Sequence, residues 1–146
     1  MKRITALIFI LLALLVTLAA CSEEPVIKTS LGDFTLTKVE FVQQYDVAQA
    51  SEGADFLLVR LTPVVDSQGL IDKMQPYFYA SDKGGAPAKV TLVGAADVGI
   101  YSIAYEQPSG GAITYALVFE VPSSWRDQKG IRLVLPAPDN TVYEIK

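Results

Sequence analysis

A chain of 146 residues has the length of one domain, and its 51% apolar composition supplies enough side chains for an independent core. Twelve basic against sixteen acidic residues leave a net charge of −4 with the signs interspersed and no basic run of five, which argues against a nucleic-acid partner. Histidine is absent and cysteine occurs once, so the usual general base, the commonest metal ligand and any intramolecular disulfide are all missing.

The N-terminus departs from the rest. Lys2 and Arg3 precede an apolar run from Ile4 to Val16 interrupted only by Thr5. From Ile4 to Ala20 the stretch is roughly 25 Å long as a helix, short for a permanent span and suited to a cleaved export signal. It ends in Leu18-Ala19-Ala20-Cys21. These four residues resemble the lipobox of bacterial lipoprotein signals without departure. The resemblance implies cleavage between Ala20 and Cys21, diacylation of the Cys21 thiol and acylation of the new amine. Two or three acyl chains give a stable membrane anchor where one gives only marginal binding. The competing reading is a plain secretory signal or an uncleaved anchor in which Cys21 is incidental. Removing residues 1–20 takes away two basic residues and no acid, leaving ten against sixteen and a net charge of −6.

Residues 21–29 read as the acylated cysteine and a short polar tether. Ser22 stands where an aspartate would indicate inner-membrane retention in enteric bacteria; its absence leans towards the outer membrane in a host that has one, and otherwise the expected address is the cell membrane.

From residue 30 to 146 the chain reads as one domain of short strands. Phe34–Leu36 and Val39–Tyr45 alternate, but the phase slips between Leu36 and Val39, where Lys38 would otherwise point inward; a β-bulge resolves this. Further strands are expected at Phe56–Leu61, Tyr77–Ser81, Val90–Val93, Ile131–Leu135 and Val142–Ile145. Tyr101, Ile103 and Tyr105 place one face of a strand over Ile100–Tyr105. The clearest strand is Ala112–Val121, with Ile113, Tyr115, Leu117, Phe119 and Val121 on the core side. Pro108-Ser109-Gly110-Gly111 joins these two as a hairpin, and Pro122 closes the second. Ser123–Gly130 allows one helical turn capped by Ser123 or Ser124, and no segment after Cys21 has helical periodicity over three turns. The fold class expected is an all-β antiparallel sandwich of about seven to nine strands, preceded by the signal-peptide helix.

The stretch Pro108–Pro122, with LGDFTLTKVEFV and FLLVRLTP before it, resembles a bacterial family of immunoglobulin-like, "telokin-like" domains of unknown function, most specifically in Phe119-Glu120-Val121-Pro122. That resemblance implies an immunoglobulin-like sandwich in an envelope protein and brings no catalytic residues. The chain departs from the pattern at Thr62-Pro63-Val64-Val65-Asp66, where the family has an Asn/Gly turn, so Pro63 puts strand pairing there in doubt. The cysteine pair and intervening tryptophan of true immunoglobulin domains are absent.

Catalytic motifs are lacking. Asp66, Asp72, Asp82 and Asp139 lie near turns without the spacing of a calcium loop. Ser109, Ser123 and Ser124 have neither a histidine nor an S-x-x-K lysine as base, and Gly84-Gly85 and Gly110-Gly111 lead into no helix. The expectation is a protein that is not an enzyme and uses no cofactor or metal. Candidate binding anchors are aromatic. Tyr77, Phe78 and Tyr79 cannot all face one side of a strand, and Trp125 follows Pro122 in a polar loop, either as a plug for the open end of the sandwich or as an exposed anchor. The functional expectation is a membrane-anchored, extracytoplasmic module contacting an envelope protein through edge strands or loops. The alternative is a binder of small ligands or carbohydrate that stacks on Trp125 and the tyrosines.

Overall fold

The computed structural model describes residues 24–65, 69–82, 97–107 and 111–146. In chain order the elements are β1 (Val26–Thr29), β2 (Gly32–Val42), β3 (Gln44–Tyr45), β4 (Ala48–Gln49), β5 (Ala54–Pro63), a one-turn helix α1 (Ile71–Met74), β6 (Tyr79–Ser81), β7 (Val98–Gly99), β8 (Ser102–Glu106), β9 (Thr114–Pro122), a 3-10 turn (Ser123–Asp127), β10 (Arg132–Leu135) and β11 (Thr141–Glu144). One sheet has the order β1-β2-β5-β9-β8, the second β11-β10-β6-β7, and β3 and β4 pair as a small hairpin. Every pairing is antiparallel. The fold is therefore an all-β sandwich, with nine strands in its two main sheets among the described residues.

Period-2 alternation positions the core. Tyr115, Leu117, Phe119 and Val121 of β9 all face inward, beside Leu57, Val59 and Leu61 of β5. The second sheet answers with Ala80, Leu133 and Leu135, and Phe78, just before β6, joins the same cluster. Phe34 and Phe78 meet edge to face across the layers, with ring centroids 6.1 Å apart at 84°. Each fully buried Leu or Phe contributes about 1.5–3 kcal/mol from burial alone, so this inner layer dominates the stability.

The slip in β2 is a real irregularity: the register shifts between Leu36 and Lys38. Leu36, Val39 and Phe41 thereby pack on the core while Lys38 is exposed. Pro63 ends β5 opposite Phe34, two residues beyond the last pair with β9 at Leu61–Tyr115. It faces a neighbour on one side only, where a missing N–H is tolerated.

Several boundaries differ from expectation. The sandwich begins at Val26, because β1 pairs with β2 within the segment read as tether. The strand expected at Val39–Tyr45 stops at Val42, and Gln44–Tyr45 turns away into the β3–β4 hairpin. Tyr77 lies before β6, in the turn after α1. Tyr101 precedes β8, and its ring packs on Phe56 on the outer side of the sheet, not with Ile103 and Tyr105. The 3-10 turn starts from Pro122 and has no side-chain cap, so neither Ser123 nor Ser124 plays that part. The signal segment, Cys21, the expected strand at Val90–Val93, Asp66 and Ser109 lie outside the described residues.

Candidate functional site

The outer face of the five-stranded sheet carries the site. Along β5, Phe56, Leu58 and Arg60 point away from the core and stand opposite Glu120, Val118 and Ala116 of β9, and the Thr62 and Thr114 hydroxyls meet at 3.0 Å just beyond the last pair. β8 sets Ser102, Ala104 and Glu106 beside Val118, Ala116 and Thr114. β2 sets Lys38, Glu40 and Val42 beside Arg60, Leu58 and Phe56. One end of this face is charged and the other apolar.

At the charged end, Lys38 lies directly opposite Arg60, a like-charge pair that is unfavourable alone. Glu40 resolves it, accepting Lys38 Nζ at 2.6 Å on one oxygen and the Arg60 guanidinium on the other. The alanines at 104 and 116 leave the Arg60 side chain room to cross the sheet, where Nε meets Glu106 Oε2 at 2.8 Å. Tyr45 of β3 donates its hydroxyl to Glu106 Oε1 at 2.8 Å, fastening the hairpin to the far strand.

The charges tune one another. Hydrogen bonds from Lys38 and then Arg60 hold the Glu40 carboxyl below its ordinary 4.5. Arg60, and then Tyr45, do the same for Glu106. Burial, followed by the hydrogen bond to the Glu106 carboxylate, pushes the Tyr45 phenol up to about 12. The two glutamates stabilise the fold fully above pH 4.5, and this contribution is lost as pH falls through their lower folded values. Tyr45 acts in the opposite direction: its contribution is complete below pH 10 and disappears as pH rises towards 12. Thermal midpoints against pH should fall at both limits in the wild type. Glu106→Gln should flatten the acid limb and Tyr45→Phe the alkaline one; equal slopes in all three proteins would remove the network from the stability balance.

At the apolar end, Phe56, Leu58 and Val118 form a second buried cluster, on which Val42, Tyr45, Ala48 and Ala50 pack. The β3–β4 hairpin covers part of it and leaves a cleft of about 280 Å³. Tyr45, Asp46, Val47 and Ala48 form one wall, Phe56 and Val118 the floor, and Tyr101, Ser102 and Ala104 the other wall. The Tyr101 and Phe56 rings lie 5.2 Å apart at 40°. Val47 at the hairpin tip is 92% exposed and Tyr101 is 53% exposed. Asp46 holds the tip in the left-handed region at φ 54°, a conformation that Asp and Asn tolerate better than other side chains.

The aromatics singled out in the sequence lie elsewhere. Trp125 is 4% exposed and belongs to the sandwich core, so its indole has no face for a ligand and acts as the plug. Its neighbour Arg126 grips the fully buried Asp55 carboxylate through NH2 at 2.9 Å and Nε at 3.0 Å, and Gln43 donates to the same group. Tyr77 is also buried, packed edge to face on Phe78 with its hydroxyl 2.7 Å from Ser30 Oγ. Tyr79 is half-buried in β6 between Val134 and Gly99. The three are not brought together as a stacking surface.

The turn acids have structural or peripheral places. Asp139 accepts the Ser30 backbone N–H at 3.0 Å and so ties the β10–β11 turn to the β1–β2 turn. Asp72 lines a second hollow of about 340 Å³ with Leu70, Ile71, Tyr105, Ile113 and Tyr115. Among the described residues no three acidic or cysteine side chains group closely enough to hold a metal ion.

The cleft was missed because its parts are scattered over five strands. One signal was present: Phe56-Leu57-Leu58-Val59 is an unbroken apolar run in β5, as expected of a strand covered on both faces. What covers part of the outer face is a hairpin of two two-residue strands, too short for periodicity to register. No protein-family model matches the chain, and neither a curated protein nor a solved structure does.

Proposed function

We propose that this chain is a lipoprotein, exported by residues 1–20 and acylated on Cys21, whose sandwich serves outside the cytoplasm as a protein-interaction module. Leu18-Ala19-Ala20-Cys21 supports the address. The observation that carries the interaction role is the pair of exposed apolar side chains, Val47 and Tyr101, flanking a cleft with an aromatic floor. Exposed apolar groups around a concave surface are the usual mark of a binding face, and aromatic residues are over-represented among binding hot spots. The locked charges beside the cleft hold its walls rigid, so less ordering entropy opposes association.

The second reading, a binder of small ligands or carbohydrate, is favoured by one observation: Tyr105, 51% exposed, lies edge to face with Tyr115 beside the second hollow. Trp125 and Tyr77 take no part in it.

A photo-crosslinking amino acid placed singly at Val47, Val65, Tyr105 and Asp127 of the full chain in intact cells tests the interaction role. A discrete protein adduct from at least one position is expected. Irradiation that yields no adduct at any of them rejects the module reading.

A further inference from the structure

We infer that the cleft between the β3–β4 hairpin and β8 receives one large aromatic or aliphatic side chain from an extended, basic segment of a partner protein. This rests on the interaction-module reading and adds the surface and the chemistry of the partner.

Size comes first. About 280 Å³ lies just below the roughly 300–1,000 Å³ range of pockets that enclose a whole small molecule, so the space suits a single side chain. Its floor is Phe56 and Val118, and Tyr101 lines the rim with its ring 5.2 Å from that of Phe56. An entering ring gains apolar burial and aromatic contact together.

Charge selects the flanking residues. Among the described residues Asp46 is the one carboxylate lining the cleft, and none of the lining side chains is a cation. The nearby Arg60 and Lys38 are already neutralised by Glu40 and Glu106. A segment carrying Lys or Arg next to its apolar residue is therefore attracted to the rim, and an acidic one is repelled.

An extended conformation follows from the wall. Among the described residues β8 is the outermost strand of its sheet, and it forms one side of the cleft through Ser102 and Ala104. A strand laid along β8 would present alternate side chains to this outer face, one of them over the cleft.

The test uses the full chain in detergent micelles and three synthetic peptides: acetyl-Lys-Thr-Trp-Thr-Lys-amide, the same with Glu for both Lys, and the same with Ala for Trp. Binding is followed by calorimetry and by backbone amide shifts. The Lys-Trp peptide should bind with shifts at residues 45–48 and 101–104, and either replacement should weaken it by about tenfold, the size of one lost hot-spot contact. Asp46→Asn keeps a side chain suited to the left-handed turn and should abolish the preference for Lys over Glu flanks. Ser102→Arg, which fills the cleft, should eliminate binding while leaving the melting curve unchanged.

Equal affinity for all three peptides, shifts confined to other faces, or no binding at all overturns the inference. So does free indole binding as tightly as the Lys-Trp peptide, which would make the cleft a small-molecule site. Sedimentation showing a dimer that Ser102→Arg dissociates would assign the face to a second copy instead. Crosslinks at Tyr105 or Asp127 with no peptide binding would leave the module reading standing and the cleft without this role; absent crosslinks would reject that reading itself.

Discussion

Replacing Trp125 with alanine should lower the unfolding free energy by about 3–5 kcal/mol, the usual cost of emptying a large aromatic site in a packed core. A domain of this size has about 5–15 kcal/mol in total, so the variant would stand near the limit of folding at 37 °C. The loss is large because Trp125 has no other place to go. Its 3-10 turn is fixed at one end by the Ser123 N–H on the Gly53 carbonyl at 2.9 Å and along its length by Arg126 on buried Asp55. The void left by the indole therefore cannot collapse cheaply. Denaturant melts followed by far-ultraviolet circular dichroism provide the measurement, since the single tryptophan is lost in the variant. Arg126→Ala should also lower the midpoint, by leaving the Asp55 carboxylate buried without its cation. A Trp125→Ala protein as stable as the wild type would mean that the indole contributes nothing to the core it is buried in.

Cys21→Ser, made in a chain whose residues 1–20 are replaced by an export signal cleaved independently of the lipobox, should move the protein wholly out of the membrane fraction. Each buried methylene of an acyl chain contributes about 0.8 kcal/mol to anchoring, so removing every chain leaves no partial effect to observe. Detergent-phase partitioning of cell extracts, with labelled palmitate, reads the change directly: the wild type should enter the detergent phase and carry label, and the variant should do neither. The substitution should leave the melting curve of the sandwich unaltered, because the first strand among the described residues is β1 at Val26–Thr29 and Cys21 takes no part in its pairing with β2. A serine variant that still partitions into detergent, or a wild type without label, would refute acylation at this residue.

These two results separate address from architecture, which are written in different parts of the chain. The proposed address rests on Cys21 and the residues before it, a contiguous motif legible without any fold. The core strands were legible for another reason. Tyr115, Leu117, Phe119 and Val121 alternate without interruption, and a strand buried on one face imposes that period on its sequence. Even the bulge could be located, because Lys38 in the wrong phase would have placed a charge in the core.

The site was not legible in the same way. Trp125 stands out in the sequence as an aromatic in a polar loop and Tyr77 as one of three consecutive aromatics in an expected strand, yet both are buried, because residues outside the strands can fold back over the core. Tyr101 belonged, by alternation, with Ile103 and Tyr105; it precedes β8 and turns to the outer face to meet Phe56. Arg60, Glu40, Glu106 and Tyr45 come from β5, β2, β8 and β3, up to 66 residues apart between Glu40 and Glu106. No local pattern links them.

The amino-acid sequence alone determined the strand-built class, the main strands, the bulge in β2 and the expectation of a lipid anchor, since each follows from neighbouring residues and the period they keep. Only the tertiary structure decided which aromatics are buried, where the hairpin folds and which charges meet. Those outcomes depend on strand order and register, which bring distant residues within a few ångströms and leave no trace in local spacing.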